Sequence, residues 1–248
     1  MNFLASSRAD RRAHVTALDK ARETFATKHT DAIRRVLTAQ IETIATEIRQ
    51  SGTYHLESRA LYQVLNVIYL DVAGHFGAIA AEQGSENTGE DLTYNERETN
   101  DYISRYLADR VHGTDRNTRR IIDGIREDVI LGKSDENFII AQEVLDWWEA
   151  NEGNRTEGMA WNEVVNASNL GVNSGISQSE REKFKIWVTT LDGNQRETHE
   201  DANDQTVPID DSFTVGGSRL RWPGDLSEGA DLKEVYGCRC ALAYELRD

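Results

Sequence analysis

The feature that most constrains this chain is a change of period near residue 185. Upstream of it, apolar residues recur at helical spacing and no proline interrupts them. Both prolines, Pro208 and Pro223, lie downstream, as do both cysteines and one of the six histidines. Apolar residues three and four apart share one face of a helix, whereas short β-branched and aromatic runs bounded by Gly and Asp favour strands. The expected fold is mainly α: a helical N-terminal region and bundle, followed by a small C-terminal α+β module with a short antiparallel sheet.

Ser7 to Gln50 contains neither glycine nor proline and reads as one helix, with Ser6, Ser7 and Asp10 as N-cap candidates and Gly52 as the stop. Ile33, Leu37, Ile41, Ile44 and Ile48 form a single apolar stripe. A helix of ~40 residues is about 60 Å long, and one stripe along it calls for a partner helix. The second helix, from about Leu56 to Ala81, is apolar on most sides and expected to be buried. Gly74 and Gly77 flank His75-Phe76 and would permit close backbone approach; His75 is expected at the edge of the core. Residues 82–101 hold seven acids and one arginine, with Gly84 and Gly89. They read as an acidic surface linker running into a helix near Tyr94 that ends at His112-Gly113. These elements make up a region 1–113.

Residues 114–184 read as a compact helical bundle. Thr114-Asp115 caps a helix stopped by Leu131-Gly132, Ser134 caps one stopped by Gly153, and Thr156 caps one fading near Gly171. Trp148 shares the Leu145 face and is expected in the core, with Trp147 at an edge or contact. Residues 185–248 form the β-rich module. Its strands are Lys185–Thr189, Ser212–Val215 and Cys240–Tyr244, with a tight hairpin at Val215-Gly216-Gly217-Ser218 and a turn at Pro223-Gly224-Asp225. Proteolysis is expected near 82–93 or 171–183, which lack an apolar period.

Charge narrows the function. The formal net charge is −15, with 6 lysines against 22 arginines. Such a chain repels itself and nucleic acid at ordinary salt, and molar salt screens that repulsion. The balance fits a halophilic source and disfavours a helical DNA-binding regulator. Residues 1–50 nevertheless carry 9 Lys/Arg and 6 Asp/Glu. Arg8, Arg11 and Arg12 there read either as an arm for DNA or an acidic partner, or as a solvated helix face. No stretch approaches the ~18 consecutive apolar residues of a membrane span, so none is expected. Met1-Asn2-Phe3-Leu4 lacks the pattern of a signal peptide.

His199, Cys238 and Cys240 are the candidate metal ligands. Two thiolates and an imidazole suit zinc, with a carboxylate such as Asp192 or Asp201 as the fourth donor. The same cysteines also suit plain packing of a small module, or a redox pair. Asp192, Arg196 and His199 share one turn-rich segment and read as polar residues bracing a tight loop. Phosphate-binding and H-E-x-x-H motifs are absent.

Trp187, Asp192, Arg196 and His199, then Pro208 and Phe213, then Cys238-Arg239-Cys240 resemble the C-terminal module of the phage Mu F-like minor head proteins, or head morphogenesis proteins. Upstream, Leu131-Gly132-Lys133-Ser134 resembles a Gly-x-Ser between two helices of that family, and Arg155-Thr156-Glu157 its Arg-Thr-Glu at a helix start. The resemblance spans residues 115–242. Two positions depart from it: Asp204-Gln205 stand where a glycine is usual, and Gly237 where asparagine is favoured. The resemblance implies a non-enzymatic virion structural protein of a tailed virus. Such a protein would be made in the host cytoplasm and reside in multiple copies in the capsid interior at the portal vertex, acting in head morphogenesis and DNA packaging or delivery. Its partners would be the portal protein, the major capsid protein and packaged DNA, with no membrane. The N-terminal helix would make the docking contact, so deleting residues 1–50 would abolish incorporation while 115–248 still folds. The alternative is an enzyme built on the C-terminal module, metal-dependent or, through Arg155-Thr156, ADP-ribosyltransferase-like.

Overall fold

The computed structural model describes residues 1–4, 7–132 and 136–247. Four long helices come first: α1 (Arg8–Ser51), α2 (Arg59–Thr88), α3 (Glu96–Leu131) and α4 (Asn137–Ser177). A small mixed module follows: β1 (Glu182–Val188), α5 (Glu197–Asp201), β2 (Thr206–Pro208), β3 (Phe213–Val215), β4 (Ser218–Leu220), α6 (Leu232–Val235) and β5 (Ala241–Arg247). This is the mainly α fold with a C-terminal α+β module that the change of period predicts.

Local chemistry sets the helix ends. The Ser7 hydroxyl accepts the Asp10 amide at 3.1 Å and caps α1. At its other end Gly52 adopts φ 72° and donates its amide to the Ile48 carbonyl, a left-handed cap. All five residues of the stripe are buried, each contributing about 2 kcal/mol of apolar burial. Gly89 (φ 75°) closes α2 in the same way, donating to the Ser85 carbonyl. By length and hydropathy α2 could cross a membrane; here its apolar residues Leu61, Leu65, Ile68, Val72 and Phe76 are buried in the bundle.

α4 is the central element, with α1 and α2 packed along it. The α2–α4 approach is set by glycine. A Cβ on Gly171 would lie 2.2 Å from the Ala73 carbonyl oxygen, and one on Gly175 2.4 Å from that of Gly77. Gly77 therefore serves the close approach foreseen for it. Gly74 does not, since nothing lies within 4 Å of a Cβ there.

Several expected boundaries are replaced by continuous helix. Residues 82–88 belong to α2 and α3 starts at Glu96, so only 89–95 of the acidic linker is non-helical. Leu92 makes this connection compact: it is buried, packs on Gly84, and its amide donates to the Ser85 hydroxyl at 2.9 Å. The break at 113/114 lies inside α3, where the Thr114 hydroxyl donates back to the Arg110 carbonyl instead of capping. Gly153 and Thr156 lie inside α4, and Thr156 likewise donates to the Glu152 carbonyl. A helical glycine costs only about 1 kcal/mol, which long packed helices absorb. The 171–183 segment is helical to Ser177, with Gly171, Val172 and Ile176 buried, so it does not offer the open site expected for proteolysis. Gly132 adjoins Lys133 and Ser134, and those two, like Ser6, lie outside the described residues. Trp148 is buried and donates its indole N–H to the Thr38 hydroxyl at 3.1 Å, while Trp147 is half-buried beneath the Arg155 guanidinium.

In the module, β1 is central in the antiparallel order β2-β1-β5, and β3-β4 form a separate hairpin. Gly216 (φ 55°) and Gly217 (φ 82°) make its turn, as a two-residue hairpin with both φ positive demands. A polar face of α4 holds the module in place. Asn166 accepts the Trp222 indole N–H at 2.6 Å, Asn169 donates to the Pro223 carbonyl at 2.8 Å, and Asn162 accepts the Gly237 amide at 2.8 Å. The N-terminus joins in: Phe3 is fully buried and its carbonyl accepts the Tyr244 amide at 2.7 Å.

Candidate metal centre

His199, Cys238 and Cys240 converge. His199 sits on α5, the helical turn after β1, and the two cysteines precede and adjoin β5. Their ligand atoms all lie within 4.8 Å of one another and all three residues are buried. The His199 Nδ1 is 3.3 Å from Cys240 Sγ and 3.8 Å from Cys238 Sγ. An S···N edge of a tetrahedral zinc site, with bonds near 2.3 and 2.05 Å, is about 3.6 Å. The cluster therefore has donor types and S···N distances compatible with three corners of a tetrahedral metal site. Both cysteines are free thiols.

The surroundings orient each donor. The other His199 nitrogen, Nε2, has no hydrogen-bond partner but faces buried Glu234 Oε2 at 3.4 Å. Glu234, on α6, also accepts the Thr198 hydroxyl at 2.7 Å. Carboxylate, imidazole and thiols in that order are the arrangement by which an outer carboxylate aims a metal-binding histidine. Trp187 packs edge-on to the His199 ring at 5.7 Å and to Phe213 at 5.3 Å. Thr189 accepts a weak Cys240 S–H contact at 3.7 Å and donates to the His199 carbonyl at 2.7 Å.

Charge is divided unequally between the thiols. Contact with Cys240, reinforced by His199, pushes the Cys238 thiol well below its ordinary range. Burial, with the Cys238 thiolate beside it, pushes Cys240 well above. For His199, burial opposes the proton, but the Cys238 thiolate and Glu234 outweigh it and raise the imidazole. These shifts favour a charged contact between Cys238 and His199. Fully buried Arg22 stands behind it, donating to the Cys240 carbonyl and the Ser168 hydroxyl, both at 2.8 Å. Its desolvated guanidinium is lowered to about 10.

The carboxylates suggested as fourth donors are elsewhere. Asp192 is exposed and accepts Arg239 Nη1 at 2.5 Å, and Asp201 is exposed on α5. Arg196 reaches the Tyr236 carbonyl. Arg239 also clamps Asp19 of α1 through two donors at 2.9 and 2.6 Å. Arg8 and Arg11, read as an arm or a solvated helix face, pair with Asp204 at 3.1 and 2.9 Å, with the Arg8 side chain 87% exposed, and Arg12 donates to the Leu191 carbonyl. Glu234 and Arg22 went unseen in the sequence. Arg22 left one trace: it continues the α1 apolar stripe toward Leu18 and Val15, where a charge must be buried. Glu234 left none, because its relation to His199 is purely tertiary.

Comparison of the chain with protein-family models, with curated proteins and with solved structures finds no match.

Proposed function

We propose that this chain is a virion structural protein of the minor head class, acting at the portal vertex of a tailed virus through contacts rather than catalysis. The observation that carries the reading is convergence. Trp187, His199, Phe213, Cys238 and Cys240, scattered over more than fifty residues, pack into one buried cluster, with Asp192 and Arg239 paired at its edge. These are the residues that resemble the Mu F-like module.

Both departures from the family pattern also have a conformational account. Asp204 adopts φ 64° and Gly237 φ 66°. Glycine enters this left-handed region freely, and Asn and Asp do so more readily than other residues. A family glycine replaced by Asp204, and a family asparagine replaced by Gly237, would preserve the same backbone.

The cluster itself is read as a structural zinc site formed by His199, Cys238 and Cys240. Zinc would supply a cross-link and a positive charge that keeps both thiols ionised. The chain's contribution is to aim the imidazole through Glu234 and to tie α5 to the start of β5. Burial of all three donors favours this over an enzyme site. The Arg155-Thr156-Glu157 run lies in the middle of α4, with Thr156 buried, and offers no transferase-like start of a helix. The acidic, lysine-poor composition supports a high-salt host.

The test is protein identification in purified portal complexes from particles whose genome encodes this chain. The expected result is the intact chain in several copies per portal. Particles that carry a portal and lack the chain would sink the proposal.

A further inference from the structure

A second site shares no residue with the cysteine cluster. Between α3, α4 and the segment leading through α6 is a cavity of about 860 Å³, within the range of small-ligand sites. Six arginines line it: Arg105, Arg110, Arg116, Arg120, Arg155 and Arg221. Asp109 is the one carboxylate in the lining. Glu163 occupies Arg110 at 2.5 Å, and Glu228 lies near Arg221. Among the described residues, none of the remaining four arginines has a carboxylate partner in an ion pair. In a chain of net charge −15, acids are abundant, so an arginine cluster left this open is available to an anion from outside.

Two further observations point to a ligand. The Nε of Arg155 is buried and has no hydrogen-bond partner, an arrangement that costs free energy unless something fills it. Gly113 lies mid-helix on the cavity face of α3, where no left-handed conformation demands glycine. A Cβ there would meet nothing nearer than the Arg116 guanidinium at 3.7 Å. The glycine leaves room in the cavity lining that a larger side chain would fill.

The lining also selects the chemistry. Guanidinium groups present paired donors that match phosphate oxygens, and their planes stack on rings. The rim carries the exposed ring of Tyr236 and the exposed Leu232 beside the arginines. Arg221 already lies over Tyr102 at 5.7 Å. Phosphate-binding donors next to flat apolar surface fit a phosphate joined to a planar ring. We propose that this cavity binds a nucleotide unit, with the phosphate on Arg116, Arg120 and Arg155 and the base against Tyr236 and Leu232. The inference stands apart from the minor-head reading. It predicts a site for one nucleotide, supplied either as free nucleoside phosphate or as an unpaired residue of a single strand.

Isothermal titration of the full chain, at the lowest salt at which circular dichroism shows it folded, tests it, with ATP, an eight-residue oligothymidylate and an oligoglutamate of matching charge. Saturable binding of ATP or the oligonucleotide is expected, with the oligoglutamate at least tenfold weaker. Whichever nucleotide probe binds tighter identifies the source. Arg155→Ala, and separately Arg116→Ala with Arg120→Ala, should each weaken binding roughly tenfold or more. Gly113→Leu should do so without changing charge, which separates a filled cavity from diffuse attraction. Arg35→Ala, on α1, should bind like the parent. Arg116 and Arg120 are exposed, so their loss leaves the fold intact. Absence of saturable nucleotide binding, equal binding of oligoglutamate, or unchanged binding by the cavity variants would overturn the proposal.

Discussion

His14 illustrates what one buried side chain does to the whole. It is 2% exposed, with Nε2 at 3.0 Å from the Leu242 carbonyl and Nδ1 accepting the Asn2 amide at 3.2 Å. Burial lowers its pKa from 6.5 to about 4. The unfolded chain then takes up a proton that the folded chain refuses. Stability from this group is complete above pH 6.5 and falls as pH drops toward 4, by about 3 kcal/mol in all. His14→Gln should remove this dependence, so the melting-temperature gap between parent and variant should narrow across that window. A gap that stays constant would show that His14 does not titrate as described. At the metal centre, purified chain should carry one zinc per molecule by mass spectrometry. Cys238→Ser should lose it, and Glu234→Gln should weaken zinc affinity about tenfold to a hundredfold through a poorly aimed His199. Metal-free parent protein, with melting unaffected by zinc or chelator, would reduce the cluster to packing.

At the level of elements, α2 and α4 meet backbone to backbone. Gly171→Ala would drive a methyl into the Ala73 carbonyl and should cost about 3 kcal/mol or more. Gly74→Ala, on the same pair of helices but in open space, should gain about 0.5–1 kcal/mol. Urea midpoints measure both, and similar outcomes for the two would contradict the packing described. The contrast also explains what could be read in advance. Ser7, Gly52 and the Gly216-Gly217 hairpin were legible because their chemistry is local. Gly113, Gly153 and Thr156 were misread as ends because a local stop signal is worth only about 1 kcal/mol, less than long-range burial supplies. The Cys238-Arg239-Cys240 run and His199 were legible as reactive types in one module. Glu234, Arg22 and the arginine cavity were not, since each depends on helices and loops brought together by the fold.

Over the whole molecule, the C-terminal module is completed by the N-terminal helix. His14 bonds Leu242, Asp19 clamps Arg239, and Arg22 holds the Cys240 carbonyl. Deleting residues 1–50 removes all three along with Val15 and Leu18, which argues against 115–248 folding alone. The truncated chain should show no cooperative thermal transition by circular dichroism; a sharp transition would restore the idea of an independent module. Net charge acts at the same scale. Melting temperature should rise from dilute buffer to molar salt as self-repulsion is screened, and a flat profile would count against a high-salt host. One contact has a further consequence in time. Arg22 finds its acceptor 218 residues away, on the threshold of the final strand. A ribosome delivers α1 before β5, so this guanidinium must wait, hydrated and unburied, while the 218 residues up to its acceptor are made. Folding then closes in a late step governed by distant contacts, which makes it slow and leaves the nascent chain dependent on staying apart from its neighbours until that strand arrives.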